Sequence, residues 1–207
     1  MSRLLFIRHA ESEANAARIL ASRLPYPLTG EGRADAGRIA RELREIMSLN
    51  RIISSPLRRA EETAEAFAKE YRIPVEYDIR IAEQELGRFS GMSYDLVPEE
   101  PTYEGNPLAR WNWIPDGGGE SYAMVADRVV DFLSSLEDAD EKSAILVVTH
   151  AVVFRLLRAA LEDTLPVYPE AFPNNGEIWD VDYRGQGNRH HIRSIFLGES
   201  RKFIHNP

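Results

Sequence analysis

The chain has 207 residues, 43% of them hydrophobic and 28% charged, with a formal net charge of −8 and no cysteine. That length suits one domain with a substantial core, and the absence of cysteine excludes disulfides, thiolate nucleophiles and cysteine-held metals together. The negative balance argues against broad nucleic-acid binding, which needs a basic face.

Leu4-Leu5-Phe6-Ile7 reads as a short, fully buried strand of the kind found inside a parallel sheet. It stops at Arg8-His9, so two potentially cationic side chains stand where a strand leaves the core. That run is too short for a signal peptide, and no run approaches the ~20 apolar residues of a membrane span. A cytoplasmic protein without membrane association is expected. Thr29 reads as the N-cap of an amphipathic helix whose apolar face is Ile39, Ala40, Leu43, Ile46 and Met47.

Arg51 to Ser54 is a second strand. Ser55-Pro56 then reads as N-cap and first residue of a helix to about Tyr71, buried through Ala60, Ala64, Phe67 and Ala68. Arg58 and Arg59 fall in its first turn, where cations oppose the helix dipole but could hold an anion against the helix N-terminus. Val75 to Tyr77 is a third, short strand. The stretch from Glu83 to Gly91 is acidic and glycine-punctuated, hence a loop.

Residues 98–118 carry several prolines, Trp111 and Trp113, and lead into Gly117-Gly118-Gly119. They read as an irregular excursion, either a lid that selects substrate or a satellite cluster pinned by the two tryptophans. A helical stripe follows at Tyr122, Val125, Ala126, Val129, Phe132, Leu133 and Leu136. Ala144 to Thr149 is the strongest strand and also ends in a histidine, His150, before an apolar helix from about Val153 to Leu161. Gly176 to Tyr183 and His191 to Phe196 read as late strands. The alternation predicts an α/β fold, a three-layer α/β/α sandwich on a mainly parallel sheet, as one domain over residues 1–207.

Two strands end in His9 and His150, and a third is followed by Arg58-Arg59. Adjacent strands lie ~4.8 Å apart, so these groups can converge on one small anion such as a phosphoryl group. His190 and His191, adjacent in sequence, cannot jointly bind one metal from a strand. His205 falls in a tail, and no spacing such as HExxH occurs. No metal or cofactor is expected.

Arg8-His9 with Glu11 and Asn15, the run from Ser54 to Ala64, and Thr149-His150 together resemble the histidine phosphatase superfamily, also called phosphoglycerate-mutase-like. The resemblance implies that His9 is the nucleophile that becomes phosphorylated, with Arg8, Arg59 and His150 around the phosphoryl oxygens. Arg59, next to Ala60, matches the family's arginine better than Arg58. Asn15 and Ala151 are implied as further substrate contacts. Glu83, four residues before Gly87, matches the family's proton donor; without that pattern, Glu83 and Glu85 alike read as a solvated acidic loop. Ala10 and Ala151 stand where the family usually has glycine, a change expected to leave catalysis intact.

The chemistry implied is hydrolysis of a small phosphorylated metabolite. A neutral imidazole attacks phosphorus, arginines neutralise charge, and a carboxylic acid protonates the departing alkoxide. A cofactor-dependent phosphoglycerate-type mutase would use the same residues. A non-catalytic phospho-ligand binding module would have no need of the proton donor.

Overall fold

The computed structural model describes residues 2–136, 144–185, 188 and 190–198; His205 lies outside them. Strands β1 (Ser2–Arg8), β2 (Arg51–Ser54), β3 (Val75–Tyr77), β4 (Ala144–Thr149), β5 (Ile178–Tyr183) and β6 (His191–Phe196) form one sheet in the order β3-β2-β4-β1-β5-β6. β1 to β4 run parallel, while β5 and β6 are antiparallel to their neighbours. β4 inserts between β1 and β2, so the carboxyl ends of three consecutive strands, where ligands bind in open α/β sheets, open side by side.

Successive strand side chains point to opposite faces, and the core divides accordingly. Leu5, Ile7, Ile52, Leu146 and Val148 meet helices α2 (Gly30–Ile46) and α3 (Arg58–Tyr71), after a one-turn helix α1 (Glu13–Ala16). Leu4, Phe6, Ile53, Ile145 and Val147 meet α4 (Tyr122–Ser134) and α5 (Ala151–Leu161) on the other face. All six residues of β4 are buried, as expected for a strand covered on both faces. The result is the three-layer sandwich. No helix among the described residues is long and apolar enough to cross a membrane.

Thr29 caps α2 by accepting from the Gly32 amide over 2.9 Å, and Ser121 caps α4 through the Met124 amide. Ile46, expected on the buried face of α2, is exposed because the helix ends there and Met47 is already extended at φ −155. Ala36 takes up the buried stripe a turn earlier. The expected Ser55-Pro56 start of α3 is also displaced: the N-cap is Leu57, with no side-chain cap. The Ser55 hydroxyl is held by a ring from another strand, His150, and by the Leu57 amide. α5 begins two residues before the expected Val153, directly after His150.

Candidate active site

His9 follows β1, His150 follows β4 and Arg59 is the second residue of α3 after β2. The two histidine rings lie 5.1 Å apart, both almost wholly buried. The His9 Nδ1–H donates to its neighbour's carbonyl, Ala10 O, over 2.7 Å. Nε2 therefore carries the lone pair, and it accepts from Arg59 Nε at 3.2 Å. Burial, then Arg59 and Arg8, hold the His9 pKa well below that of free histidine, so the ring is neutral at pH 7.

Burial pushes the Arg59 guanidinium down to about 10, with Arg8 adding to the effect and Glu83 opposing it. Two carbonyls aim it: Nη2 donates to Ser22 O at 2.7 Å and Nη1 to Leu24 O at 3.2 Å. Ser22 sits at φ 46, a left-handed conformation unfavourable for serine, in the turn that presents that carbonyl. Arg8 is fixed by donation from Nη1 to Pro173 O at 2.6 Å. Arg58 is turned away, exposed and paired with Glu62 at 3.0 Å.

Arg8, His9, Asn15, Arg59, Glu83 and Ala151 all line one cavity of about 340 Å³, in the range of small-molecule sites. His150, expected with them, is not on that wall: it is fully buried, its ring 5.1 Å from that of His9. Its Nε2 is 2.7 Å from Ser55 Oγ, and its buried Nδ1 has no protein partner. Asn15 Oδ1 accepts from the Ser12 amide and from Asn175 Nδ2. Ala10 and Ala151 have no positive φ, so alanine carries no backbone strain at either position.

The acidic loop separates its two carboxylates. Glu83 is the only acidic residue on the cavity wall among the described residues, with Oε2 3.4 Å from the Val152 amide at the start of α5. Glu85 faces the loop itself, where Oε1 accepts from Ser22 Oγ, the Gly87 amide and Ser90 Oγ. Gly87 (φ 54) closes that loop on the excursion. A Cβ there would meet Asp116 O at 2.1 Å, and Arg88 donates its amide to the same carbonyl.

The description "histidine phosphatase superfamily (branch 1)" matches residues 4–193. The chain belongs to the histidine phosphatase superfamily. Within it, a Salmonella choleraesuis (strain SC-B67) protein named probable phosphoglycerate mutase GpmB is 31% identical, over 89% of this chain and 86% of its own. Arabidopsis thaliana phosphoglycerate mutase-like protein 4 is 32% identical, over 74% and 68%. A mycobacterial glucosyl-3-phosphoglycerate phosphatase complexed with VO3 superposes with a TM-score of 0.81 at 26% identity, over 93% of this chain and 97% of its own. Bacillus stearothermophilus YhfR superposes at 0.80 and 29%, over 94% and 96%.

Several wall residues of this histidine phosphatase superfamily member carry no motif. Ser22, Gln84, Tyr94, Tyr103, Arg110 and Phe172 join the cavity from irregular segments. Asn175 Nδ2 reaches His9 O over 3.0 Å from the segment before β5. Ser55 was legible only as a helix cap. The two tryptophans of the excursion are off the wall: Trp113 packs on Phe89 and Tyr103, and Trp111 stacks on Tyr168. They pin a segment that itself gives Tyr103, Pro107 and Arg110 to the cavity.

Proposed function

We propose that the protein is a metal-independent phosphomonoester hydrolase acting through a phosphohistidine on His9, with Glu83 as general acid and base. The observation that carries this reading is the fixed tautomer of His9: Nδ1–H on Ala10 O and a lone pair at Nε2 in a cavity with arginines. Substrate binding draws the Arg59 Nε–H from His9 onto a phosphoryl oxygen and frees that lone pair. Nε2 then bonds to phosphorus as the ester P–O bond breaks, and Glu83 gives its proton to the departing alkoxide.

The phosphorylated ring is an imidazolium, stabilised by its Nδ1–H bond to Ala10 O. Arg8, Arg59 and His150 Nδ1–H surround the transferred group, and Asn15 Nδ2 and the α5 terminus at Ala151 add donors. Water, losing a proton to Glu83, attacks phosphorus; the P–N bond breaks and inorganic phosphate leaves. The substrate is a small phosphorylated metabolite, selected by the 98–118 excursion. A cavity whose wall holds Arg8, Arg59 and Arg110 against one carboxylate is a poor host for a divalent cation and a good one for a phosphate.

The names of the two curated relatives favour a second reading, a phosphoglycerate-type mutase that returns the phosphoryl group to substrate. The phosphatase name of the 26%-identical structural relative, whose chain is matched over 97% of its length, supports hydrolysis. Rapid mixing with labelled ester and alkaline quenching should leave acid-labile label on His9. Label on serine, or none in an active enzyme, refutes the nucleophile. With 3-phosphoglycerate and catalytic 2,3-bisphosphoglycerate, inorganic phosphate should appear faster than 2-phosphoglycerate; fast isomerisation with negligible phosphate release selects the mutase. Tight phosphate binding with no turnover of any ester selects a binding module.

A further inference from the structure

Glu120, the residue before the Ser121 cap of α4, ties down the whole 83–85 stretch. Its amide donates to Glu85 O at 2.8 Å, and its Oε2 accepts from the Glu85 amide at 3.0 Å. Gln84, itself buried, donates Nε2 to Glu120 O at 2.6 Å. Two arginines complete the set. Arg23 donates Nη2 to Glu120 Oε2 at 2.9 Å. Arg128, on α4, donates Nε to Oε1 at 3.2 Å and Nη2 to Oε2 at 3.1 Å. Burial works against the Glu120 carboxylate, but Arg128 and Arg23 hold its pKa below the ordinary glutamate value.

The same two arginines converge on Glu83 at its main-chain carbonyl: Arg23 Nε donates to Glu83 O at 3.2 Å and Arg128 Nη2 at 3.3 Å. Arg128 is anchored in turn by Nη1 on Arg80 O at 2.6 Å. That carbonyl belongs to the peptide group joining Glu83 to Gln84. The other end of this planar unit is the Gln84 N–H, which donates to the Glu83 side chain, at Oε1, over 2.9 Å. Fixing the carbonyl therefore fixes the direction of the N–H that holds the carboxylate. Charged donors on the carbonyl also polarise the peptide and strengthen its N–H as a donor. Oε1 is committed to this bond, whereas Oε2 has the longer contact of 3.4 Å with the Val152 amide.

We infer that Glu120, Arg23 and Arg128 are positioning residues for Glu83, set around the 83–84 peptide. They hold Oε1 on the Gln84 amide, so that Oε2 is the oxygen that gives and takes the proton. None of the three lines the cavity, so their effect on turnover passes through the loop. The inference rests on Glu83 as proton donor, but the orientation of the peptide can be tested without turnover.

Glu120→Gln keeps the shape and removes the charge that pins both arginines. On glycerol 3-phosphate it should lower kcat roughly 10- to 100-fold with little change in KM, the scale of a reacting group displaced by about 1 Å. On p-nitrophenyl phosphate the loss should be smaller. Arg128→Lys, which keeps the charge without the planar fork, should show the same split. The decisive comparison is a double-mutant cycle: in the Glu83→Gln background, Glu120→Gln should add no dependence on the leaving group. Equal losses on both esters, or a split that persists without the Glu83 carboxylate, overturn the inference. If Glu120→Gln does not fold, Arg23→Ala carries the same comparison from a half-buried site. If Glu83→Gln itself shows no split, the proton-donor reading fails, and the Gln84 amide proton decides the positioning role. Its NMR shift should follow the ionisation of Glu83 in the parent protein and not in Glu120→Gln; identical titrations in both overturn it.

Discussion

Arg59 Nε donates to His9 Nε2 over 3.2 Å, so the proposed phosphoryl clamp and the proposed nucleophile are hydrogen-bonded to each other before any substrate arrives. A protonated Nε2 could not accept this bond. The arginine thus favours the ring form with a lone pair at Nε2, the form that the proposed mechanism requires. Arg59→Ala should lower kcat/KM at least ~10²–10³-fold, the scale of losing one donor to a transition-state oxyanion. Arg58→Ala removes only an exposed pair with Glu62 and should change it little. Steady-state kinetics on both variants checks this, and a larger loss at Arg58 than at Arg59 contradicts the assignment.

The two buried histidines make stability depend on pH in a defined direction. Both have pKa values well below the ordinary histidine value, chiefly through burial and then through Arg59. In the unfolded chain each takes up a proton as the pH falls below about 6.5, while the folded rings do not. Their contribution is therefore complete above that pH and is lost as pH falls toward the folded pKa values. Between pH 6.5 and 5, His150→Gln should flatten the slope of unfolding free energy by up to ~1.4 kcal/mol per pH unit. Urea unfolding across that window measures it, and a slope identical to that of the parent protein excludes a neutral buried His150.

What was legible in the sequence was whatever the side chains themselves announce. Uninterrupted apolar runs marked β1 and β4, and their abrupt ends marked His9 and His150, because a strand covered on both faces tolerates no charge until it leaves the core. Tertiary partners left no such mark. Arg59 and Arg8 are aimed by the carbonyls of Ser22, Leu24 and Pro173, groups that every residue possesses. Ser55 followed by Pro56 is a sound helix-start signal locally, yet a histidine from β4 takes its hydroxyl and α3 starts later. Arg110 was silent because its burial depends on how the irregular excursion that carries it folds.

The two carboxylates of the acidic loop predict opposite phenotypes. Glu83→Gln should lose ~10²–10⁴-fold on a glycerol or sugar phosphate, whose alkoxide needs a proton to leave, and clearly less on p-nitrophenyl phosphate. Some loss should remain with both, because the proposed role of Glu83 includes activating water. Glu85→Gln should show no such dependence on the leaving group. Its Oε1 gathers Ser22, Gly87 and Ser90, so the variant should instead lower the melting temperature and weaken binding of every substrate alike. A leaving-group dependence that follows Glu85 moves the proton donor by two positions.

Ser55 should set the tautomer of His150. Both groups are fully buried, and Ser55 Oγ already accepts from the Leu57 amide at 3.3 Å. If Nε2–H donated to Oγ, the serine proton would lack an acceptor and the Nδ1 lone pair would face the phosphate. If Oγ–H donates to Nε2, the hydroxyl and Nε2 are both satisfied, and Nδ1, which has no protein partner, carries the N–H that the proposed phosphoryl oxygens would accept. Ser55→Ala removes that choice and should cost roughly 10-fold or more in kcat/KM, within the ~1–3 kcal/mol of a buried hydrogen bond left unmade. Ser55→Thr, which keeps the hydroxyl, should recover most of it. A serine that only packed would lower both variants through stability and leave the ring unchanged. Nitrogen-15 shifts of His150 separate the cases: protonated Nδ1 in the parent and in Ser55→Thr, a tautomer mixture in Ser55→Ala. A parent ring protonated at Nε2 refutes this assignment.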